Sequence, residues 1–243
     1  MLGVGLIHIR EPQGNGLRGQ RRRPLEGISN RTRSLWRNML LFAELTENMA
    51  TKLGFIAERA KREKTAIFDN VMHHINEESL KVSYQQLRKE CAVGVDGTNW
   101  EEYGKELENN IRGLMGRMKQ MSYRPQAVRR VYIPKDNGTQ RPLGIPAVED
   151  KMVQKAMSRI MEAIYEQDFH EDSYGFRTGK NCHQALKRIN DLIMTKPINH
   201  VTEVDIKGYF DNVEHNKLID WLKVRITDGQ FLLTFRGLTP NFL

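Results

Sequence analysis

The stretch from residue 129 to residue 145 constrains the fold more than any other part of the sequence. Two segments rich in Val, Ile and Tyr flank the tripeptide Asp136-Asn137-Gly138. An Asn-Gly or Asp-Gly pair between such segments is a strong hairpin signal, because these residues adopt the positive φ angles that tight turns require. We therefore expect two antiparallel strands here.

Elsewhere, apolar residues recur mainly at steps of three and four, which is the spacing of a helix with one buried face. The clearest helical patterns cover residues 107–121, 152–165 and 183–194, and one or two short helices are predicted after Met49. Apolar and polar residues alternate over 200–206, which predicts a further strand. Helices mixed with few strands, without regular alternation, indicate an α+β fold.

Positive charge is concentrated at the start of the chain. The net charge is +8, and the first 40 residues contain eight Arg and two Glu, which contribute +6 of that total. Lys is absent from the first 48 residues and frequent from Lys52 onward. Two interpretations fit this change: residues 1–48 are a basic arm that binds nucleic acid, or translation properly begins at Met49.

The cysteine content favours a reducing compartment. Cys91 and Cys182 are the only cysteines, and their spacing suggests neither a disulfide framework nor a CxxC motif. No apolar run approaches the roughly 20 residues that a membrane-spanning helix needs. We expect a cytoplasmic protein without a membrane anchor.

A basic run leads into the hairpin. No acidic residue lies between Glu108 and Asp136, whereas seven Lys and Arg residues do. Such a run is usually a solvated face, but Lys135 and Arg141 flank the hairpin tip and together could hold a triphosphate. A three-residue turn at 137–139 would place both on one face, and a two-residue turn would place them on opposite faces.

Two aspartates six positions apart have different predicted roles. Asp205 lies near the end of the predicted strand, where a carboxylate can hold a divalent ion. Asp211 is followed three residues later by Glu214, which fits a helix cap better than a metal ligand. The same spacing makes Thr98, followed by Glu101, a predicted cap.

Four motifs occur in a characteristic order. They are GVDG at 94–97, RPQAVRRVYIPKDNGTQRPLGIPAVEDKMVQ at 124–154, SYGFRTGKNCHQAL at 173–186 and VDIKGYFDNVEH at 204–215. From about residue 50 to about 235 the chain resembles the reverse transcriptase/maturases encoded by group II introns. Retron, phage-defence and CRISPR-linked reverse transcriptases are alternatives, but the hairpin and SYGFR motifs resemble the intron type more.

The resemblance implies part of a right-hand polymerase, with fingers over 49–199 and the first palm strand and helix over 200–243. It implies an RNA template such as intron RNA, a DNA primer, deoxynucleoside triphosphates and Mg²⁺. Residues implied in these contacts are Lys135 and Arg141 for the triphosphate, Arg177 for the template, Asp205 and the Ile206 carbonyl for the metal, and Phe210 as the aromatic gate against ribose.

The chain also departs from the family pattern. Thr178 replaces the usual Pro, no Asp-Asp dipeptide occurs, and the sequence after Phe235 leaves the helical family pattern, as a frameshift or premature stop would cause. Two-metal phosphoryl transfer needs more carboxylates than Asp205. The 243 residues are therefore expected to be inactive alone. The alternatives are a non-catalytic RNA-binding remnant and a degenerate product without function.

Overall fold

A computed structural model describes residues 30–134, 138, 140–209 and 212–239, with side chains from residue 40 onward. The chain divides into two compact units, Met1–Leu40 and Leu41–Leu243. In the first unit, residues 30–40 are helical. All further description concerns the second unit, apart from the helix that begins at Asn30.

The described residues form eight α-helices and one two-stranded sheet. The elements in chain order are α1 (Asn30–Arg62), a 3-10 turn (Met72–His74), α2 (Glu77–Gln86), α3 (Trp100–Lys105), α4 (Leu107–Lys119), β1 (Arg129–Pro134), β2 (Gln140–Ile145), α5 (Val148–Tyr165), α6 (Cys182–Thr195), α7 (His215–Lys223) and α8 (Gly229–Leu238). This is a helix-rich α+β arrangement, which confirms the predicted class. None of these helices is both long and apolar enough to cross a membrane.

One hydrophobic core joins the beginning of the second unit to its end. Helix α5 contributes Met152, Val153, Met157 and Ile160, all nearly inaccessible to solvent. Side chains from α1, α2, α4, α7 and α8 pack around the same cluster. Phe68 and Ile226 add a parallel β-bridge between two distant loops. The amphipathic patterns at 107–121 and 152–165 thus correspond to α4 and α5, although α4 already ends at Lys119.

A buried carboxylate connects α8 to the Met72–His74 turn. Asp228 caps α8 by accepting hydrogen bonds from the backbone N–H groups of Gln230 and Phe231, both at 3.1 Å. Its second oxygen accepts from the N–H groups of Val71 and Met72, at 2.8 and 2.7 Å. Buried N–H donors need partners of this kind, so Asp228 fixes the turn to the helix.

The hairpin forms where it was expected, but in neither of the two registers considered. Strands β1 and β2 are antiparallel, with Pro134 opposite Gln140 and Ile133 opposite Arg141. A two-residue turn would have paired Pro134 with Arg141, and a three-residue turn would have paired Lys135 with Arg141. The observed register is shifted from both, and residues 135–137 and 139 lie outside the described part.

The prediction of a strand over 200–206 is wrong. The backbone there has neither helix nor strand structure, and all seven residues are exposed. A strand requires a neighbour to accept and donate its ladder hydrogen bonds, and β1 and β2 pair only with each other within the described ranges. Alternation of apolar residues does not suffice to form a strand without that neighbour.

Three other predictions are shifted along the chain. The cap of α3 is Asn99, whose side chain accepts from the Glu102 N–H at 2.8 Å, rather than Thr98. Helix α7 begins at His215 after Glu214, so the cap predicted at Asp211 is placed too early; Asp211 itself lies outside the described residues. The short helices predicted after Met49 are instead the end of the continuous helix α1.

Candidate nucleic-acid interface

The base of the hairpin is fixed to the loop that precedes α3. The Arg129 Nε donates to the Val93 carbonyl at 2.9 Å, and the Lys151 Nζ donates to the Ala92 carbonyl at 2.6 Å. Gly94 lies so close to the start of α5 that a Cβ there would be 2.6 Å from the Ala147 Cα. Only glycine allows this approach without a shift of the backbone, so the GVDG loop supports the end of β2.

A second anchor holds the segment that enters β1. The buried Asp150 accepts a hydrogen bond from the Tyr123 hydroxyl at 2.6 Å and one from the Gln126 N–H at 2.9 Å. Burial raises the pKa of the Asp150 carboxyl, and the two hydrogen bonds partly oppose that rise. The pKa of the Tyr123 phenol is also raised, by its burial and by the adjacent carboxylate.

Part of the basic run is used inside the protein. The Arg117 guanidinium forms an ion pair of 2.6 Å with Glu149, whose carboxylate also accepts from the Tyr103 hydroxyl at 3.4 Å. Arg124 donates to the carbonyls of Met121 and Tyr123 at 3.0 and 2.8 Å. Together with Arg129, these residues support the hairpin base. Arg112, Lys119 and Arg130 of the run are exposed as well.

Arg141 projects from the exposed surface of the sheet. Its direct partner across the sheet is Ile133, and Leu143 follows two positions along β2. Directly paired residues share a face, so Arg141 lies beside two half-exposed apolar side chains, and Arg130 lies on the opposite face. Lys135 is outside the described residues, so its position relative to Arg141 stays a prediction.

Arg177 is part of a closed network within its own loop. Its guanidinium forms an ion pair of 2.6 Å with Glu166 and donates to the carbonyls of His170 and Ser173 at 2.9 and 2.8 Å. It also lies over the Phe169 ring, 5.1 Å from the centroid. Contact with a template stays a prediction, but in this conformation the guanidinium stabilises the loop after α5.

Both predicted metal ligands are exposed. Asp205 and Ile206 belong to the exposed segment before α7, and Phe210 lies outside the described residues. No group of three or more His, Cys, Asp or Glu side chains suited to a metal ion occurs in the described part of the chain. Mg²⁺ requires near-octahedral oxygen coordination, so these residues alone do not fit a two-ion site.

Sequence reasoning missed Asp150 and Glu149, which hold the hairpin base. Their adjacency in the first turn of α5 resembles an ordinary acidic helix start. The available signal for Glu149 was the basic run, one of whose cations, Arg117, pairs with it; nothing in the sequence indicates the Asp150 contacts.

Comparison with known proteins decides the relationship. Residues 133–240 match the sequence model of the family described as reverse transcriptase (RNA-dependent DNA polymerase). The group II intron-encoded protein LtrA of Lactococcus lactis subsp. cremoris is 37% identical over 164 residues, which cover 67% of this chain and 27% of that protein. The chain is a homologue of group II intron-encoded proteins.

Two further proteins are similar to this chain. Protein YkfC of Escherichia coli (strain K12) is 41% identical over 143 residues, or 57% of this chain and 37% of that protein. An uncharacterized 91 kDa protein in a cob intron of Schizosaccharomyces pombe is 29% identical over 194 residues, or 79% of this chain and 24% of that protein. This homologue of group II intron-encoded proteins therefore spans well under half the length of these relatives.

Proposed function

We propose that the chain derives from an RNA-directed DNA polymerase of the group II intron type. In this proposal residues 49–199 are the fingers of a right-hand polymerase and residues 200–243 are the start of its palm. Residues 1–48 are a basic arm or lie upstream of a translation start at Met49. The observation that carries the proposal is the family match over 133–240, which includes the hairpin end, the SYGFR loop and Asp205. Its substrates would be an RNA template, a DNA primer and deoxynucleoside triphosphates.

The fixed hairpin supports a role in binding phosphate. Arg141 is held on a sheet whose base is anchored by the Arg129, Asp150 and Lys151 contacts. A guanidinium on such a support loses less conformational freedom when it binds than one on a mobile loop. In the polymerase, Lys135 would act with Arg141 on the triphosphate, Arg177 would contact the template, and Phe210 would select deoxyribose. When no nucleotide is bound, the Arg141 guanidinium would contact an RNA phosphate.

The second candidate is a non-catalytic RNA-binding protein built from the same domain. Asp205 and the Ile206 carbonyl are its proposed metal ligands, yet the described residues contain no cluster of carboxylates around them. This observation favours RNA binding without nucleotide transfer for a polypeptide of these 243 residues. The two candidates share the nucleic-acid surface. They differ in whether dNTPs and Mg²⁺ change the affinity for nucleic acid.

RNA binding by the purified chain tests the shared part of the proposal. We expect fluorescence anisotropy with a labelled RNA oligonucleotide to show affinity that falls steeply with salt. Arg141→Gln is expected to lower the salt slope by about one and to weaken binding several-fold, because one phosphate contact is lost. Lys61→Gln, at an exposed cation of α1, is the matched control and should leave the slope unchanged.

The outcome also separates the candidates. Salt-independent binding, or equal effects of the two substitutions, would contradict the hairpin as the binding surface. Tighter binding to an RNA–DNA hybrid when the complementary dNTP and Mg²⁺ are added would favour the polymerase. An affinity that does not change when the dNTP and Mg²⁺ are added would favour the non-catalytic candidate.

A further inference from the structure

Two adjacent histidines on the Met72–His74 turn have no part in the function proposed above. The ring centroids of His73 and His74 are 3.9 Å apart. His73 is exposed, with its Nδ1 3.2 Å from the Asn70 Oδ1, whereas His74 is half-buried. The turn itself is held by Asp228 through the Val71 and Met72 N–H groups. His74 therefore has a fixed position on a rigid support.

His74 lies where three helices meet. A small cavity of about 20 Å³ beside it is lined by residues of α1, α2 and α5. The charged side chains that line this cavity are Lys52 from α1, Glu78 from α2 and Arg159 from α5. On its other side, an open depression of about 340 Å³ adds Arg59, Asp69 and His73.

Most of the charges nearest to His74 are positive. Arg159 donates to the neutral acceptors Ser83 Oγ and Gln86 Oε1, at 3.3 and 2.7 Å, and its nearest acidic influence is Glu162. Lys52, Glu78 and Asp69 are all exposed, so solvent screens all three. Arg159 is partly buried and is screened less. Burial lowers the pKa of His74, and the neighbouring His73 and Lys52 lower it further.

Helix α1 packs on this junction through one narrow stripe. Ile56 and Ala60 are buried, and Leu53 is partly buried against the core. The Met49 sulfur lies 3.3 Å from the Arg159 Nη1. These positions follow the helical repeat, while Phe55 on another side of the helix is exposed. A narrow contact can be released without unfolding the rest of the core.

We infer that the Met72–His74 turn is a pH-sensitive latch for helix α1. Protonation of His74 places a positive charge beside Lys52 and Arg159 and loosens residues 49–60 of α1 from α2 and α5. The packed form holds His74 neutral, whereas a released His74 accepts a proton near the ordinary histidine pKa of about 6.5. Packing of residues 49–60 on α2 and α5 is therefore most stable above that pH. The free energy that favours the packed form decreases as the pH falls below it.

Hydrogen exchange measured by mass spectrometry tests the latch on the full 243-residue chain. After correction for intrinsic exchange rates, we expect residues 50–60 to lose protection roughly threefold or more between pH 7.5 and pH 5.5. Residues 152–164 of α5 should keep their protection. His74→Gln should give equal protection of α1 at both pH values. Equal protection in the unsubstituted chain, or the same loss in H74Q, would overturn the inference.

A second substitution keeps the test decisive if H74Q does not fold. Lys52→Gln retains both histidines and removes one cation beside them, so residues 50–60 should lose less protection between pH 7.5 and pH 5.5 than they do in the parent chain. His183→Gln, at an exposed histidine of α6, is the control and should leave the transition in place. A loss of protection in K52Q as large as that in the parent chain would contradict the latch whatever RNA binding shows, so the latch and the proposed function fail separately.

Discussion

At the first turn of helix α5, both oxygens of the buried Asp150 accept hydrogen bonds from the segment that leads into β1. The side chain thereby links α5 to residues 123–126, which set the direction of the hairpin. A buried carboxylate is costly unless its oxygens are satisfied, and burial already raises the pKa of Asp150. The position of the hairpin thus depends on the Asp150 carboxylate, whose burial becomes costly if one of its two hydrogen-bond donors is lost.

Tyr123→Phe removes that donor without changing the shape of the ring. We expect the free energy of unfolding to fall by about 2 kcal/mol at pH 8, because a hydrogen bond to a carboxylate is lost. The loss should shrink as the pH is lowered through the pKa of Asp150, since the donor stabilises mainly the charged form. Urea unfolding at several pH values between 4 and 8 measures this.

Tyr132→Phe provides the matched control for that experiment. Tyr132 lies on β1 and is 56% exposed, so its substitution should change stability by less than about 0.5 kcal/mol at every pH. A Tyr123→Phe loss that is independent of pH would contradict a hydrogen bond that stabilises mainly the charged Asp150 carboxylate.

Individual side-chain partners could not be predicted from the sequence. Arg177 was assigned a role from its motif, but its ion pair with Glu166 depends on how the loop after α5 folds back. Glu149 likewise meets Arg117 across two helices separated by the hairpin. Such pairs depend on tertiary packing, which neither spacing nor composition reports.

Helices and strands are predicted reliably from the sequence where their backbone hydrogen bonds join residues that are close in the chain. Helices α4, α5 and α6 and the hairpin each satisfy their backbone groups within one stretch of chain, so periodicity and turn residues identify them. The strand expected at 200–206 needed a neighbour from elsewhere, and alternation could not reveal whether one was present. The register of the hairpin also escaped prediction, because several loop lengths suit the same turn residues.

Helix α6 differs from the other long helices of the second unit because none of its residues is buried. Leu186, Ile189 and Ile193 are exposed along one side of it. An exposed apolar stripe contributes little to folding and promotes association. The amphipathic sequence of α6 predicts one buried face, but within the described residues no other element covers that face.

Ile189→Gln tests the energetic status of α6. We expect the free energy of unfolding to change by less than about 0.5 kcal/mol, and the tendency to associate to decrease, because no packed contact is lost. Ile160→Gln, on the buried face of α5, is the comparison and should cost several kcal/mol. A large loss of stability in I189Q would mean that α6 is packed in solution. Chemical unfolding and light scattering measure the two effects.

For the molecule as a whole, the proposed polymerase chemistry depends on carboxylates that the described residues do not bring together. We expect a polypeptide of these 243 residues to show no extension of a DNA primer on an RNA template with dNTPs and Mg²⁺, because Asp205 alone cannot hold two ions in line. An established reverse transcriptase is the positive control. Extension that disappears in Asp205→Asn would overturn the expectation.

The exposed segment between α6 and α7 has a consequence for proteolysis. Lys207 lies in a stretch of exposed backbone without helix or strand, where a protease such as trypsin can bind an extended chain. The side chains of α7 and α8 on the far side of the cut belong to the same core as α5. A cut there would therefore leave two fragments that stay associated, so the nicked protein would keep its fold and separate into two bands only after denaturation.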